Sequence, residues 1–243
     1  MFRFKQFSVN NDGTAFKVGT DAVLLGASVC LTGTERRILD AGTGTGIIAL
    51  MIAQRLSALG NSVFAADAID ADAASAAIAA ENFAASPWAP MLNARHLTLS
   101  QLEEKLQAGV QYDLIVSNPP YFENSLKNPD GRKSIARHSC EDGLSWRTLL
   151  DFAAEHLAPG GRLAMILPVD IAVKAAAAPA GLGLWRRLSI KTSPSKPVTR
   201  VILEFGKGGI GPQKREESLT VQENGLYTPE YLLLTEPFHL FGK

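Results

Sequence analysis

Asn118-Pro119-Pro120-Tyr121 is the segment of this chain best equipped to do chemistry. An Asn side-chain carbonyl can accept one hydrogen of a planar –NH2 group, and the carbonyl of Pro119 can accept the other. The prolines fix φ and stiffen the turn, so both acceptors keep their places. Tyr121 adds an aromatic face on which a flat ring can stack. The preceding run, Tyr112-Asp113-Leu114-Ile115-Val116-Ser117, reads as a buried strand, which puts the four residues at a strand's C-terminal end. The alternative is a plain proline turn.

A second constellation lies upstream. Ile38-Leu39-Asp40 leads into Gly42, Gly44 and Gly46, a D-x-G-x-G-x-G loop between a strand and a helix. A dinucleotide site uses G-x-G-x-x-G, and here Ile47 stands where its third glycine would be. The loop therefore suits a ligand without a pyrophosphate, one that needs close backbone approach and the positive φ that glycine allows. Beyond it, Val63-Phe64-Ala65-Ala66 runs to Asp67 and Asp70. A carboxylate at the end of a second strand can accept two hydrogen bonds from a ribose diol. Asp70 is at that end, whereas Asp67 lies inside the run; a helix-capping role for Asp70 or Asp72 is the alternative.

These groups need a frame. Strand-like runs at 36–41, 62–69, 93–98, 112–117 and 161–167 alternate with helix-like runs at about 45–57, 72–85, 100–107 and 144–158. That alternation predicts a doubly wound, mostly parallel sheet in three α/β/α layers. Thr20-Asp21 looks like a helix start, and Ala175–Ala178 before Pro179 reads as a short helix with a firm stop. A hairpin-like pair follows at 184–192 and 198–205, then a short strand at 217–222 and a helix or turn within 227–241. With no repeat and no rich linker, residues 1–243 are expected to form one domain, with a short N-terminal segment (1–35) and a C-terminal extension (206–243).

Composition narrows the classes further. With 243 residues, 46% hydrophobic and 20% charged, the chain can build one well-cored α/β unit. No apolar run approaches the ~20 residues of a membrane span, and the start lacks a signal-peptide core. Cys30 and Cys140 are unpatterned, and His96, His138, His156 and His239 show no metal spacing, so a cytoplasmic, metal-free protein is expected. The formal net charge is zero, but Lys174, Arg186, Arg187, Lys191, Lys196 and Arg200 occur from 171 to 203 without a single acid. That stretch is either a solvated face or a phosphate-contacting one.

Together, the glycine loop and Asn-Pro-Pro-Tyr resemble the S-adenosylmethionine-dependent methyltransferases that act on planar nitrogens. The terminal hairpin likewise resembles the seven-stranded class I methyltransferase sheet. The resemblance implies S-adenosyl-L-methionine as cofactor, with Lys17, Thr20, Asp40, Gly42, Gly44, Gly46, Asp70, Thr98 and Asn118 around it. Asn118, Pro119, Pro120 and Tyr121 would be the catalytic set. At Thr98 relatives carry an acid for the adenine contact, a departure that backbone groups of Leu97 and Leu99 would have to cover.

Asn-Pro-Pro-Tyr serves adenine N6 and the glutamine amide of release factors alike. Only 39 residues precede Asp40, too few for the helical domain of release-factor enzymes, and 122–143 is too short for a DNA target-recognition insert. Phe4-Lys5-Gln6-Phe7, Lys17-Val18-Gly19-Thr20-Asp21, Ala136-Arg137-His138-Ser139 and Leu234-Thr235-Glu236-Pro237-Phe238-His239-Leu240 resemble the bacterial family that methylates N6 of adenine 37 in valine tRNA. The upstream basic arm of some relatives is short here. A monomer acting on tRNA is the expectation, with Lys127, Arg132, Lys133, Arg137 and His138 contacting the RNA. A protein glutamine N5-methyltransferase is the alternative; a cofactor-holding RNA-binding module and a dehydrogenase fit the residues less well.

Overall fold

A computed structural model describes residues 1–11, 19–121, 143–207 and 215–239. Along the chain come β1 (Phe2–Arg3), β2 (Ser8–Val9), α1 (Thr20–Ser28), β3 (Arg37–Ala41), α2 (Ile47–Ala58), β4 (Ala65–Asp70) and α3 (Ala73–Ala84). They are followed by β5 (Leu92–His96), α4 (Leu99–Lys105), β6 (Tyr112–Ser117), α5 (Trp146–His156), β7 (Leu157–Pro168) and α6 (Val169–Ala177). The last elements are β8 (Gly183–Lys191), β9 (Val198–Gly206), β10 (Arg215–Thr220), a two-residue hairpin of β11 (Gln222–Glu223) and β12 (Leu226–Tyr227), and α7 (Pro229–Thr235).

Eight strands pair in the order β10-β8-β9-β7-β6-β3-β4-β5. β9 is antiparallel to both β7 and β8, while all other pairs are parallel, so β9 alone runs against the rest. The expected seven strands are present and β10 is added at the edge. Without it the outer backbone groups of β8 would be unpaired.

The expected boundaries shift for local reasons. Asn61 Oδ1 accepts from the Val63 N–H at 3.0 Å, holding 61–63 in a turn, so β4 begins at Ala65 instead of 62. β7 begins at Leu157, earlier than 161, because Leu157 already pairs with Tyr112 across an irregularity in the register. Asn224-Gly225 makes the unexpected β11–β12 turn, both residues having positive φ.

Strand alternation explains the two cores. Ile38, Leu114, Val116, Ala164 and Ile166 face the layer of α1, α2 and α3; Leu39, Ile115, Leu163, Met165 and Leu167 face α4, α5 and α6. Strands buried on both faces must be apolar at nearly every position, which is why they read as continuous runs. At one margin, Phe4 stacks on Phe7 at 4.6 Å and on His239 at 5.8 Å, and Lys5 N–H donates to the Phe238 carbonyl at 2.8 Å.

Some of the cations in the 171–203 stretch are matched by acids of this chain. Arg186 is buried and pairs with Glu204 at 2.7 Å and Glu217 at 2.8 Å; Arg162 pairs with Glu35 at 2.9 Å. Arg200 binds Asp21 at 2.7 Å, and Arg187 lies 3.9 Å from Glu216. Neither a solvated face nor a phosphate-binding face describes Arg186; its acid partners both come from sequence after the stretch.

Candidate active site

From β3 the chain proceeds outward through β4 and β5, while β6 and β7 build the sheet on the other side. The crevice beyond the C-terminal ends of β3 and β6 is thus the point where strand order reverses, the usual ligand position in such sheets. Asp40 and the glycine loop end β3, Asp70 ends β4, and Asn118 follows β6. Ser117 Oγ donates to the Ala41 carbonyl at 2.7 Å, tying the last residue of β6 to the last residue of β3.

Gly42, Gly44 and Gly46 all have positive φ. The loop is pinned by Gly42 and Thr43 N–H groups donating to the Ile69 carbonyl, each at 2.9 Å. Asn82 braces it from α3 by donating to the Thr45 carbonyl at 2.8 Å. A β-carbon on Gly46 would lie 2.5 Å from Phe83 Cε1, whereas one on Gly44 would meet nothing within 4 Å. Gly46 lets the helix pack; Gly44 leaves open space for a ligand to approach the backbone.

Asp70 stands where the ribose acid was expected. Its Oδ2 accepts from Gly44 N–H at 2.8 Å and its Oδ1 from Asp72 N–H at 2.9 Å. Burial pushes its carboxyl up, and those two amide bonds pull it back. The capping alternative belongs to Asp72, which accepts from Ser75 N–H at 2.9 Å. Asp67 is turned to another task, lying 3.4 Å from Arg95 and 3.6 Å from Arg37.

Asp40 is fully buried. Its Oδ2 accepts from the Thr43 hydroxyl at 2.7 Å and the Ala49 N–H at 3.2 Å, and Oδ1 has no hydrogen-bond partner. Burial pushes its carboxyl up to about 7, against the pull of those two bonds. An unmatched buried acceptor, open space at Gly44 and an acid at the end of β4 fit a ligand carrying a cationic amino acid and a nucleoside. S-adenosylmethionine has both parts.

Thr98 departs from its expected role. Its hydroxyl accepts from Gln101 N–H at 3.1 Å, and Gln101 Oε1 accepts from Thr98 N–H at 3.0 Å, a capping box that starts α4. The T-x-x-Q spacing was the signal for this. Thr20 opens α1 one residue before Asp21 and is exposed. Lys17, Lys127, Arg132, Lys133, Arg137 and His138 lie outside the described residues.

In the Asn-Pro-Pro-Tyr turn, Pro119 is buried and Pro120 exposed. The Tyr121 hydroxyl donates to Asn118 Oδ1 through a short hydrogen bond, and it lies 3.2 Å from Asp21 Oδ2. Arg200 Nε donates to the same Asp21 oxygen at 2.7 Å, and its guanidinium stands 5.4 Å from the centre of the Tyr121 ring. Burial pushes the Tyr121 phenol up, and the Asp21 charge adds to this, so the hydroxyl keeps its proton. Asp21 and Arg200 are the functional neighbours that the sequence did not reveal.

Away from the crevice, Glu103, Glu155 and His156 bring ligand-capable atoms within 4.8 Å of one another at the surface. His156 bonds Glu103 at 3.1 Å, and exposed groups of this kind are common without an ion.

Comparison with known proteins agrees with this geometry. Residues 17–177 match the methyltransferase small domain family. A tRNA1(Val) (adenine(37)-N6)-methyltransferase of Trichodesmium erythraeum is 41% identical, covering 98% of this chain and 97% of its own. One of the same name from Bacteroides thetaiotaomicron is also 41% identical, covering 100% and 98%. Among solved structures, a predicted O-methyltransferase of Agrobacterium tumefaciens superposes with a TM-score of 0.64 at 20% identity, over 89% of this chain and 96% of its own. That likeness shows the fold: a class I methyltransferase sheet.

Proposed function

This chain belongs to the family of tRNA1(Val) (adenine(37)-N6)-methyltransferases, and from that membership and its site we propose that it methylates N6 of adenine 37 in tRNA1(Val). The observation that carries the reading is the placement of Asn118 beside the glycine loop, at neighbouring strand ends of one crevice. S-adenosylmethionine supplies an electrophilic methyl group on a sulfonium. Gly44 would admit it to the backbone, Asp70 would accept from its ribose and Asp40 would face its charged end.

The chain's own residues must then make a poor nucleophile competent. The N6 lone pair of adenine is delocalised into the ring. Asn118 Oδ1 and the Pro119 carbonyl accept the two amino hydrogens, which draws nitrogen out of conjugation and turns its lone pair toward the glycine loop. Arg200 lies over the Tyr121 ring, and the flipped base stacks on the opposite face, for about 1–3 kcal/mol. Positioning is the main contribution; well-oriented groups can gain up to about 7–11 kcal/mol. No residue need act as a general base, because the proton can leave to water after transfer.

The same reading places the protein in the cytoplasm with its tRNA. Among the described residues no helix is long and apolar enough to cross a membrane. The test is labelled methyl transfer to total tRNA from a strain lacking the gene, followed by nucleoside analysis. N6-methyladenosine at position 37 of tRNA1(Val) is expected. Label in release-factor glutamine, with none in tRNA, would overturn the reading.

A further inference from the structure

Tyr121 carries one hydroxyl proton and has two acceptors for it. Asn118 Oδ1 takes the short hydrogen bond, and Asp21 Oδ2 waits at 3.2 Å. Yet Asn118 Oδ1 is the oxygen that the proposed chemistry reserves for the target amino group. A second donor on that oxygen competes with the substrate. Asp21 comes from the first turn of α1, and Arg200 from β9 holds its Oδ2 at 2.7 Å while lying over the phenol ring. These two elements are remote in sequence and converge on Tyr121.

We propose that Asp21 and Arg200 are positioning residues that take over the Tyr121 hydroxyl when the target amino group arrives, freeing Asn118 Oδ1 to accept from it. The inference rests on the adenine N6 reading of the site. An ionised carboxylate is acceptor-only and forms the stronger hydrogen bond, so rotating the proton from the amide oxygen to Asp21 costs little. Arg200 holds Asp21 in place through its Nε, and its contact with the ring keeps the phenol from following the base. Tyr121 thereby closes the acceptor while the pocket is empty and releases it on entry.

The step needs no covalent change: the Tyr121 O–H proton stays on its own oxygen throughout and only changes acceptor. It also explains a feature that stacking alone leaves idle. A Phe would stack as well as a Tyr, but it would not need the carboxylate and guanidinium that converge on the hydroxyl.

The experiment is a double-mutant cycle on tRNA methylation by the full chain, with melting temperature and cofactor affinity measured alongside. In the Tyr121 background, Asp21→Ala should lower kcat about tenfold, the scale of one lost charged hydrogen bond, with the KM for tRNA within about twofold. In the Tyr121→Phe background, which has no competing proton, the same change should cost less than about twofold. Asp21→Asn, a neutral acceptor no stronger than the Asn118 amide, should keep most of the Asp21→Ala loss. Equal losses in both backgrounds, or a wild-type rate for Asp21→Asn, would overturn the proposal while leaving the methyltransferase reading intact. A wild-type protein that methylates no adenine in tRNA overturns both. Should Asp21→Ala not fold, Asp21→Asn takes its place in the cycle: an equal loss with and without Tyr121→Phe is the overturning result.

Discussion

The Gly44 amide donates to the Asp70 carboxylate across 2.8 Å, so the acid assigned to the ribose also shapes the loop that admits the cofactor. Asp70→Ala should therefore lose about 2–3 kcal/mol of cofactor affinity, the range of hydrogen bonds to a charged group. Asp67→Ala should leave affinity unchanged, since Asp67 is engaged with Arg37 and Arg95. Calorimetry on the two variants checks the assignment, and the reverse pattern would show that the wrong acid was chosen.

Asn118→Ala should bind cofactor as the wild type does and lose methyl transfer by several orders of magnitude. The target nitrogen loses its acceptor, while the Tyr121 hydroxyl keeps Asp21. If more than about a tenth of the rate survives, the roughly 1.4 kcal/mol this represents is too little for the proposed role.

Two glycines should separate folding from binding. Gly46→Ala puts a β-carbon 2.5 Å from Phe83 Cε1 at φ +81, so thermal melting should drop markedly. Gly44→Ala meets no atom within 4 Å and bears only the strain of φ +57, about 1–2 kcal/mol. It should fold and yet bind cofactor weakly. Unaltered binding in Gly44→Ala would place the ligand elsewhere.

Asp40 titrates in the folded protein near 7, well above its ordinary 3.8. A carboxyl whose folded pKa is raised holds its proton more tightly when folded. Its contribution is complete below about pH 4 and is lost as pH rises through 7. Urea melts of the wild type and Asp40→Asn, which cannot ionise, should diverge in the variant's favour between pH 5 and pH 8. Parallel curves would mean that Asp40 is ionised throughout.

Glu204 is completely buried and accepts from Arg186 at 2.7 Å and from the Cys30 N–H at 3.1 Å. Its removal leaves the buried Arg186 guanidinium with Glu217 as its remaining acid partner. Glu204→Ala should cost about 3–5 kcal/mol in denaturant unfolding, with cofactor affinity in the remaining folded protein unchanged.

What could be read from the sequence was what is local. The glycine loop, Asp70 and Asn-Pro-Pro-Tyr each declare themselves within a few residues of a strand end, and the apolar runs declare the strands. Asp21 and Arg200 do not, because their meaning comes from three elements converging on one phenol. The cationic stretch misled for a related reason: a charge count cannot show that Arg186 is matched by Glu204 and Glu217. Thr98 was legible as a helix cap through Gln101, but the family's adenine contact drew it toward the ligand. The eighth strand was visible as a strand, and only its pairing with β8 was not.

The aromatic clasp of Phe4, Phe7, Phe238 and His239 sets a timetable for the nascent chain. Phe4 and Phe7 are synthesised well before Phe238 and His239, and Phe4 meets the His239 ring only when it follows. At about 5–20 residues per second, that wait is on the order of ten to fifty seconds. β3 to β7 can pair in the meantime, since their contacts are closer along the chain. Closing the clasp thus trails the pairing of β3 to β7, and until then the Phe4 ring is open to capture by chaperones.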